Sequence, residues 1–89
     1  MLITDQKTTH ELKIWPEYFE AIRVGNKTFE IRENDRDFKE GDVLLLKEYI
    51  PVMNEYTERS MKVVVKYIME GGRFGILPDY VVMSIEIIS

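Results

Sequence analysis

The feature that most constrains this fold is the division of the chain into short apolar segments, each ended by turn-forming residues. Five segments have the alternating or branched apolar pattern of β-strands: residues 9–15, 27–33, 43–49, 59–70 and 80–88. Pro16 suits the first turn of a helix and Gly25 suits its end, so we expect one helix over residues 16–24. The order β-α-β-β-β-β predicts a mainly β (α+β) fold, a curved sheet that closes into a small β-barrel with one short helix.

Alternation along each strand predicts which side chains enter the core. In the first strand, Lys13 and Trp15 share the outward face. In the fourth strand, one face carries an apolar set: Met61, Val63, Val65, Tyr67 and Met69. The unbroken apolar run at 43–46 predicts that the third strand is buried on both faces. Residues 50–58 are expected to form a loop.

The size of the chain, 89 residues, leaves room for one hydrophobic core, so we expect a single domain over residues 1–89 with residues 1–8 as a loose leader. The chain has no cysteine, which excludes disulfides, thiol catalysis and thiolate metal sites. The sequence shows neither a signal-peptide pattern nor an apolar run of membrane-spanning length. We therefore expect a cytoplasmic protein without a membrane partner.

The segment from residue 25 to residue 32 combines a glycine turn with a strand that is rich in ionisable groups. Strand alternation places Phe29 and Ile31 on one side, where they can enter the core. The same alternation puts Glu30 and Arg32 together on the opposite, outer surface. A tight turn beside such a charged surface is a place where a small domain can hold a polar ligand.

The charge of the chain limits the partners that it can bind. The net charge is −4, which opposes extended contact with nucleic-acid phosphates. Between residues 23 and 39, however, five basic side chains face four acidic ones, whereas the rest of the chain has seven basic and twelve acidic side chains. Residues 23–39 are therefore the least acidic part of the chain, which favours a nucleoside-sized ligand or a short single strand over a long duplex.

Gly25, Lys27, Glu30 and Arg32 match the spacing Gly-x-Lys-x-x-Glu-x-Arg, which resembles the signature of the ASCH domains, a branch of the PUA-like superfamily. Four further blocks are similar to a small, uncharacterised bacterial and phage subgroup of that superfamily: residues 10–16, 34–38, 41–42 and 71–75. The resemblance covers roughly residues 9–85. It implies a single ASCH/PUA-like domain, a five- or six-stranded barrel with a cleft beside the signature.

The resemblance also implies two candidate functions. Relatives are mostly proposed to bind RNA, which makes an RNA- or nucleotide-binding module the first hypothesis. Some small members look like amidohydrolases acting on acetylated cytidine through a lysine, a threonine and a later glutamate. Here Lys27 matches the lysine, but Glu30 stands at the threonine position. In an enzyme, Lys27 would be the nucleophile or base and Glu30 the proton carrier. A protein-interaction domain is the third hypothesis.

The candidate ligand-binding residues are four cations and one carboxylate: Lys13, Lys27, Arg32, Arg36 and Glu30. Arginine and lysine suit a phosphate or a base edge, and a carboxylate accepts from an exocyclic amine. The alternative is that Glu30 and its basic neighbours form a surface ion pair worth about 0–1 kcal/mol.

Three neighbouring features also have two interpretations. Trp15 can stack on a base or pack against the helix. The loop 34–37 can frame the cleft, with Arg36 reaching inward, or its polar side chains can satisfy turn backbone groups. His10 is the only histidine and cannot build a histidine cluster; it can act alone as an acid or a base, or have a structural role, and we expect the structural role. We expect no metal and no cofactor.

Overall fold

The computed structural model describes residues 7–89 and confirms a mainly β fold with one short helix. Its elements are β1 (Thr9–Ile14), α1 (Pro16–Arg23), β2 (Phe29–Glu33), β3 (Val43–Ile50), β4 (Glu55–Glu70) and β5 (Tyr80–Ile87). Their order is the one that the sequence predicts. Of the expected leader, residues 1–6 lie outside the described residues, and residues 7–8 precede β1 without regular structure.

The five strands form one curved sheet in the order β1-β3-β4-β5-β2. β1 runs parallel to β3, and the other neighbouring pairs are antiparallel. The sheet curls into a half-barrel, so its edge strands β1 and β2 approach each other. Two guanidinium groups span the gap between these edges. Arg32 donates to the main-chain oxygen of Lys13 at 2.7 Å, and Arg36 donates to that of Glu11 at 2.5 Å.

The helix α1 is short and amphipathic. Pro16 occupies its first turn, and Phe19 and Ile22, three residues apart on one face, are buried in the core. Gly25 has a φ of +87°, a left-handed conformation that stops the helix and favours glycine. Within residues 7–89, no helix has the length and apolar character that a membrane crossing requires.

The core is built from inward-facing residues of four strands together with α1. The side chains of Leu44 and Leu46 are completely buried, whereas those of Val43 and Leu45 are only partly covered. The expectation that β3 is buried on both faces is therefore wrong. The half-barrel covers only its concave side, and the opposite face of β3 borders solvent.

Strand β4 differs from its predicted pattern in two places. It begins at Glu55 and β3 extends to Ile50, so the loop between them reaches only from 51 to 54 and is five residues shorter than expected. A bulge between Val65 and Tyr67 interrupts the pairing with β5, and the extra residue reverses the alternation beyond it. Tyr67 is consequently 63% exposed, and Ile68 packs against the core in its place.

Candidate ligand-binding site

A cleft of about 490 Å³ lies between the two sheet edges, beside the start of α1. It is lined by residues from β1, α1, β2 and the turn that precedes β2: Lys13, Ile14, Trp15, Tyr18, Lys27, Phe29, Glu30, Ile31 and Arg32. The cleft exists because β1 and β2 approach at the open side of the half-barrel without pairing over their length. The Gly25–Arg32 signature thus borders a concave surface.

The two faces of β2 are exchanged relative to the expectation from the sequence. Phe29 and Ile31 were expected in the core, but their side chains are 41% and 46% exposed. Glu30, expected on an outer surface, is 4% exposed. The expected alternation of β2 is correct, but the assignment of its faces to core and solvent is wrong. The inward face carries the charged residues, and the outward apolar residues form a wall of the cleft.

Two cations explain how Glu30 can be buried. The Lys27 ammonium donates to Glu30 Oε1 at 2.5 Å, and Arg32 Nε donates to Glu30 Oε2 at 2.9 Å. Both carboxylate oxygens are therefore occupied by charge-assisted hydrogen bonds, which offset the cost of removing the carboxylate from water. We call Lys27, Glu30 and Arg32 the Glu30 cluster. It is a partly buried group rather than the exposed ion pair that sequence reasoning left as an alternative.

The turn before β2 fixes Lys27 in this position. After Gly25, the backbone N–H groups of Asn26 and Lys27 both donate to the carbonyl of Ala21, at 2.9 and 3.0 Å. The Lys27 ammonium also donates to the carbonyl of Phe29 at 2.7 Å. The lysine is thus held by the end of the helix on one side and by β2 on the other.

Aromatic side chains supply the apolar part of the cleft. Trp15 and Tyr18 stack with ring centroids 6.0 Å apart and planes inclined by 23°, and about half of each side chain is exposed. The Lys27 ammonium lies 4.9 Å from the centre of the Phe29 ring and 5.7 Å from that of Tyr18. Trp15 therefore packs on the helix, as one interpretation held, and still leaves a ring surface at the cleft.

Four of the five predicted ligand-binding residues line this one cleft: Lys13, Lys27, Glu30 and Arg32. Arg36 does not line the cleft. Its guanidinium instead donates to the main-chain oxygen of Glu11 in β1. In the adjoining loop, Asn34 Oδ1 accepts from the backbone N–H of Phe38 at 2.9 Å, which supports the interpretation that this loop satisfies its own backbone.

A second buried carboxylate, Asp42, lies outside the cleft. Asp42 Oδ2 is 2.8 Å from His10 Nε2, and its two oxygens also accept from the backbone N–H groups of Thr8 and Lys39. Burial acts to raise the pKa of Asp42, but these hydrogen bonds outweigh it and hold that pKa below its ordinary value. The His10 ring packs edge-on against Phe38, 4.8 Å between centroids. We call His10 and Asp42 the Asp42 cluster.

A third buried carboxylate, Glu48, links β3 to β4. Glu48 Oε1 accepts from Arg59 Nε at 2.9 Å and from the Thr57 hydroxyl at 2.5 Å. The hydrogen bond from Arg59 is the main reason why the pKa of Glu48 lies below its ordinary value, and it outweighs the opposing effect of burial. Among residues 7–89, no group of three or more His, Cys, Asp or Glu side chains could hold a metal ion.

Sequence reasoning missed two aromatic residues of the cleft. Tyr18 follows Trp15 by three positions, a spacing that brings side chains together at the start of a helix and could have indicated the pair. Phe29 was placed in the core because an apolar residue in a strand is normally buried. Only the position of β2 at the edge of the sheet, which depends on the whole topology, puts it in the cleft.

The fold and the cleft together define a small, mainly β protein with a charged, aromatic pocket between two strand edges. The chain belongs to the family described as domain of unknown function DUF3850, whose model matches residues 9–85. It is also similar to an uncharacterized 12.9 kDa protein in the GpA 3' region of Escherichia phage P2. The two are 31% identical over 74 residues, which are 83% of this chain and 64% of the phage protein.

Proposed function

We propose that this protein is an RNA- or nucleotide-binding module of the PUA-like kind, acting in the cytoplasm, and that the cleft between β1 and β2 receives the nucleotide. One observation carries the proposal: exposed aromatic rings and an excess of positive charge line the same pocket. The lining carries three cations, Lys13, Lys27 and Arg32, and one carboxylate, Glu30. A planar, anionic ligand is the kind of molecule that matches both properties.

The aromatic rings of the cleft would bind the base of the nucleotide by stacking. Stacking of a base on an aromatic side chain contributes about 1–3 kcal/mol and requires little sequence specificity. Trp15 and Phe29 expose enough of their rings to the cleft for such contact. The volume of the pocket, about 490 Å³, suits one base or a short single strand.

The Glu30 cluster supplies hydrogen-bond donors for the polar part of the ligand. Because both oxygens of Glu30 are occupied, this residue serves to position Lys27 and Arg32, and the cations face the ligand. Arg32 uses Nε and one terminal nitrogen within the protein. Its remaining terminal N–H groups can donate to a phosphate or a base edge.

The proposed ASCH relationship is consistent with this arrangement. Three of the four signature residues, Lys27, Glu30 and Arg32, line the cleft, and the fold is a mainly β half-barrel with one helix. The overall net charge of −4 favours a small footprint, because positive charge is in excess at the cleft and not over the chain as a whole. We therefore expect recognition of one or a few nucleotides.

The test is an NMR titration of the ¹⁵N-labelled protein with the four common ribonucleoside monophosphates and a short oligouridylate. Trp15 is the only tryptophan, so its indole N–H signal reports on the cleft alone. We expect a saturable shift of that signal. A ligand at 100 times its dissociation constant should stabilise the fold by about 2.7 kcal/mol. With few cations involved, the slope of log affinity against log salt should be about −2 or shallower.

Two results would contradict the proposal. One is the absence of any shift at the Trp15 indole with all five ligands. The other is a salt slope as steep as that of a contact with about eight phosphates, which would indicate a large surface rather than this cleft.

A second candidate is an amidohydrolase acting on modified nucleosides such as acetylated cytidine, and the contact between Lys27 and the buried Glu30 favours it. A lysine beside a buried carboxylate is suited to move a proton. Thr28 is exposed and does not line this cleft, so the lysine–threonine pair of the amidohydrolase-like relatives is not assembled there. Incubation with acetylated cytidine, followed by chromatography, should give product with the natural protein and none with Lys27→Ala. Equal conversion by both would exclude this mechanism.

A further inference from the structure

A pair of lysines continues the cleft along the outer face of the sheet. Lys13 of β1 and Lys47 of β3 are direct partners in the parallel register of these strands. Like charges that face each other across a strand pair destabilise the sheet. A local surface that holds the two ammonium groups without cancelling their charge would stabilise this arrangement and leave it able to attract an anion.

Two tyrosines provide such a surface. Tyr49 and Tyr56 are paired across β3 and β4, and their rings meet edge to face with centroids 5.1 Å apart. The Lys13 ammonium lies 4.3 Å from the centre of the Tyr49 ring and 6.0 Å from that of Tyr56. The Lys47 ammonium lies 5.1 Å from the centre of the Tyr56 ring. Attraction between each ammonium group and the ring faces thus holds both lysines over one aromatic surface. We call Lys13, Lys47, Tyr49 and Tyr56 together the platform.

The platform presents charge rather than bare ring surface. Because the lysines occupy the faces of Tyr49 and Tyr56, a second base would have to displace them before it could stack. One carboxylate, that of Glu11, lies 3.4 Å from the Lys47 ammonium in a solvent-exposed ion pair. Within residues 7–89, no carboxylate is within 4.0 Å of the Lys13 ammonium. The platform therefore carries a net positive charge.

Lys13 belongs to both the platform and the cleft. From these contacts we infer that Lys13 and Lys47 form a phosphate subsite beside the base-binding cleft. The ligand is then a phosphorylated nucleotide, or one nucleotide unit of a strand, and not a free nucleoside. This inference rests on the proposed function, since the base is bound in the cleft while the phosphate reaches the platform.

The experiment compares the four common ribonucleosides with their 5′- and 3′-monophosphates by calorimetry. We expect at least one monophosphate to bind about tenfold tighter than its nucleoside, in the range of charge-assisted hydrogen bonds. In Lys47→Gln this advantage should fall to about threefold, while nucleoside affinity stays unchanged. In Glu11→Gln, which frees Lys47 from its ion pair, monophosphate affinity should rise by about twofold.

The matched control is Lys66→Gln. Lys66 also forms an exposed pair with one carboxylate, that of Glu86 at 3.9 Å, but it does not line the cleft. This variant should keep the full advantage of the monophosphate. Equal binding of nucleoside and monophosphate to the natural protein would overturn the subsite and leave the proposed function intact. An equal effect of Lys47→Gln and Lys66→Gln would also overturn it. Failure of all nucleosides and all monophosphates to bind would overturn the proposed function as well.

Discussion

The Glu30 and Asp42 clusters solve the same physical problem in different ways. Each holds a carboxylate that is almost fully removed from water, with both oxygens hydrogen-bonded. Asp42 is held by a buried histidine and by backbone N–H groups of Thr8 and Lys39, and none of these residues lines the cleft. Glu30 is held by Lys27 and Arg32, whose side chains are partly exposed and line a pocket.

This difference separates a structural cluster from a candidate site. A buried charge alone indicates only that the fold has compensated it. The lowered pKa of Asp42 belongs to the cluster that lies outside the cleft. The property that distinguishes the Glu30 cluster is that its partners retain donors that face solvent. Substitution in one cluster at a time, with both the free energy of unfolding and nucleotide binding measured, therefore separates the two roles.

The largest effect is expected for Asp42→Asn. The amide cannot accept at both former oxygens, so buried donors from His10 and the backbone lose their partner. The free energy of unfolding should fall by about 3 kcal/mol, measured by urea denaturation. Nucleotide affinity of the folded variant should be unchanged. A loss of affinity without a loss of stability would reverse the roles that we assign to the two clusters.

A smaller loss of stability is expected for Glu30→Gln, about 1–2 kcal/mol, because its partners can still reach water. Binding should also weaken, since Lys27 and Arg32 lose the group that fixes them, even though the cleft becomes more positive. Glu33→Gln removes a charge from an exposed position of the same strand and is the control. Tighter nucleotide binding by Glu30→Gln than by the natural protein would show that Glu30 does not serve to position Lys27 and Arg32.

Acid should act through Asp42 and Glu48. Both have a pKa in the folded state below the ordinary value, so each stabilises the fold above that value and loses its contribution as the pH falls through the lowered pKa. The free energy of unfolding should therefore decrease below about pH 4. In Asp42→Asn the decrease should be shallower, and the difference in stability between variant and natural protein should shrink at pH 3. Urea denaturation at pH 6 and pH 3 measures this difference in the free energy of unfolding. A difference that is the same at both pH values would contradict the prediction.

The smallest effects are expected at two glycines that precede the clusters. Gly25 and Gly41 both have a positive φ, +87° and +92°, which disfavours alanine. Gly25→Ala and Gly41→Ala should each cost about 1 kcal/mol in thermal unfolding. Gly25 begins the turn that positions Lys27, so only its substitution should also weaken nucleotide binding. Equal binding by the two variants would show that this turn does not control the cleft.

The order and extent of most elements follow from local patterns. Pro16 restricts the backbone at the start of the helix, and Gly25 allows a left-handed conformation at its end. Neither effect depends on the rest of the fold. Alternation in β1 correctly leaves Lys13 outside the core, and Trp15, which directly follows β1, is half exposed. These predictions succeed because they need only neighbouring residues.

The missed features depend on contacts between distant residues. The inward face of β2 is charged because Lys27 and Arg32 close on Glu30 and because the strand lies at a sheet edge, which no local pattern reveals. His10 and Asp42 are 32 positions apart and meet only through the parallel pairing of β1 with β3. Likewise, nothing in the alternation of β4 signals the bulge that exposes Tyr67.

The central claim, that the cleft holds the ligand, is tested most directly by a matched pair of arginines. Arg32 and Arg36 both donate to a main-chain oxygen of β1, but only Arg32 lines the cleft. The measurement is the nucleotide affinity of Arg32→Gln and Arg36→Gln by calorimetry. We predict a loss of about tenfold or more for Arg32→Gln and less than about twofold for Arg36→Gln. Equal losses, or no loss in Arg32→Gln, would contradict the account.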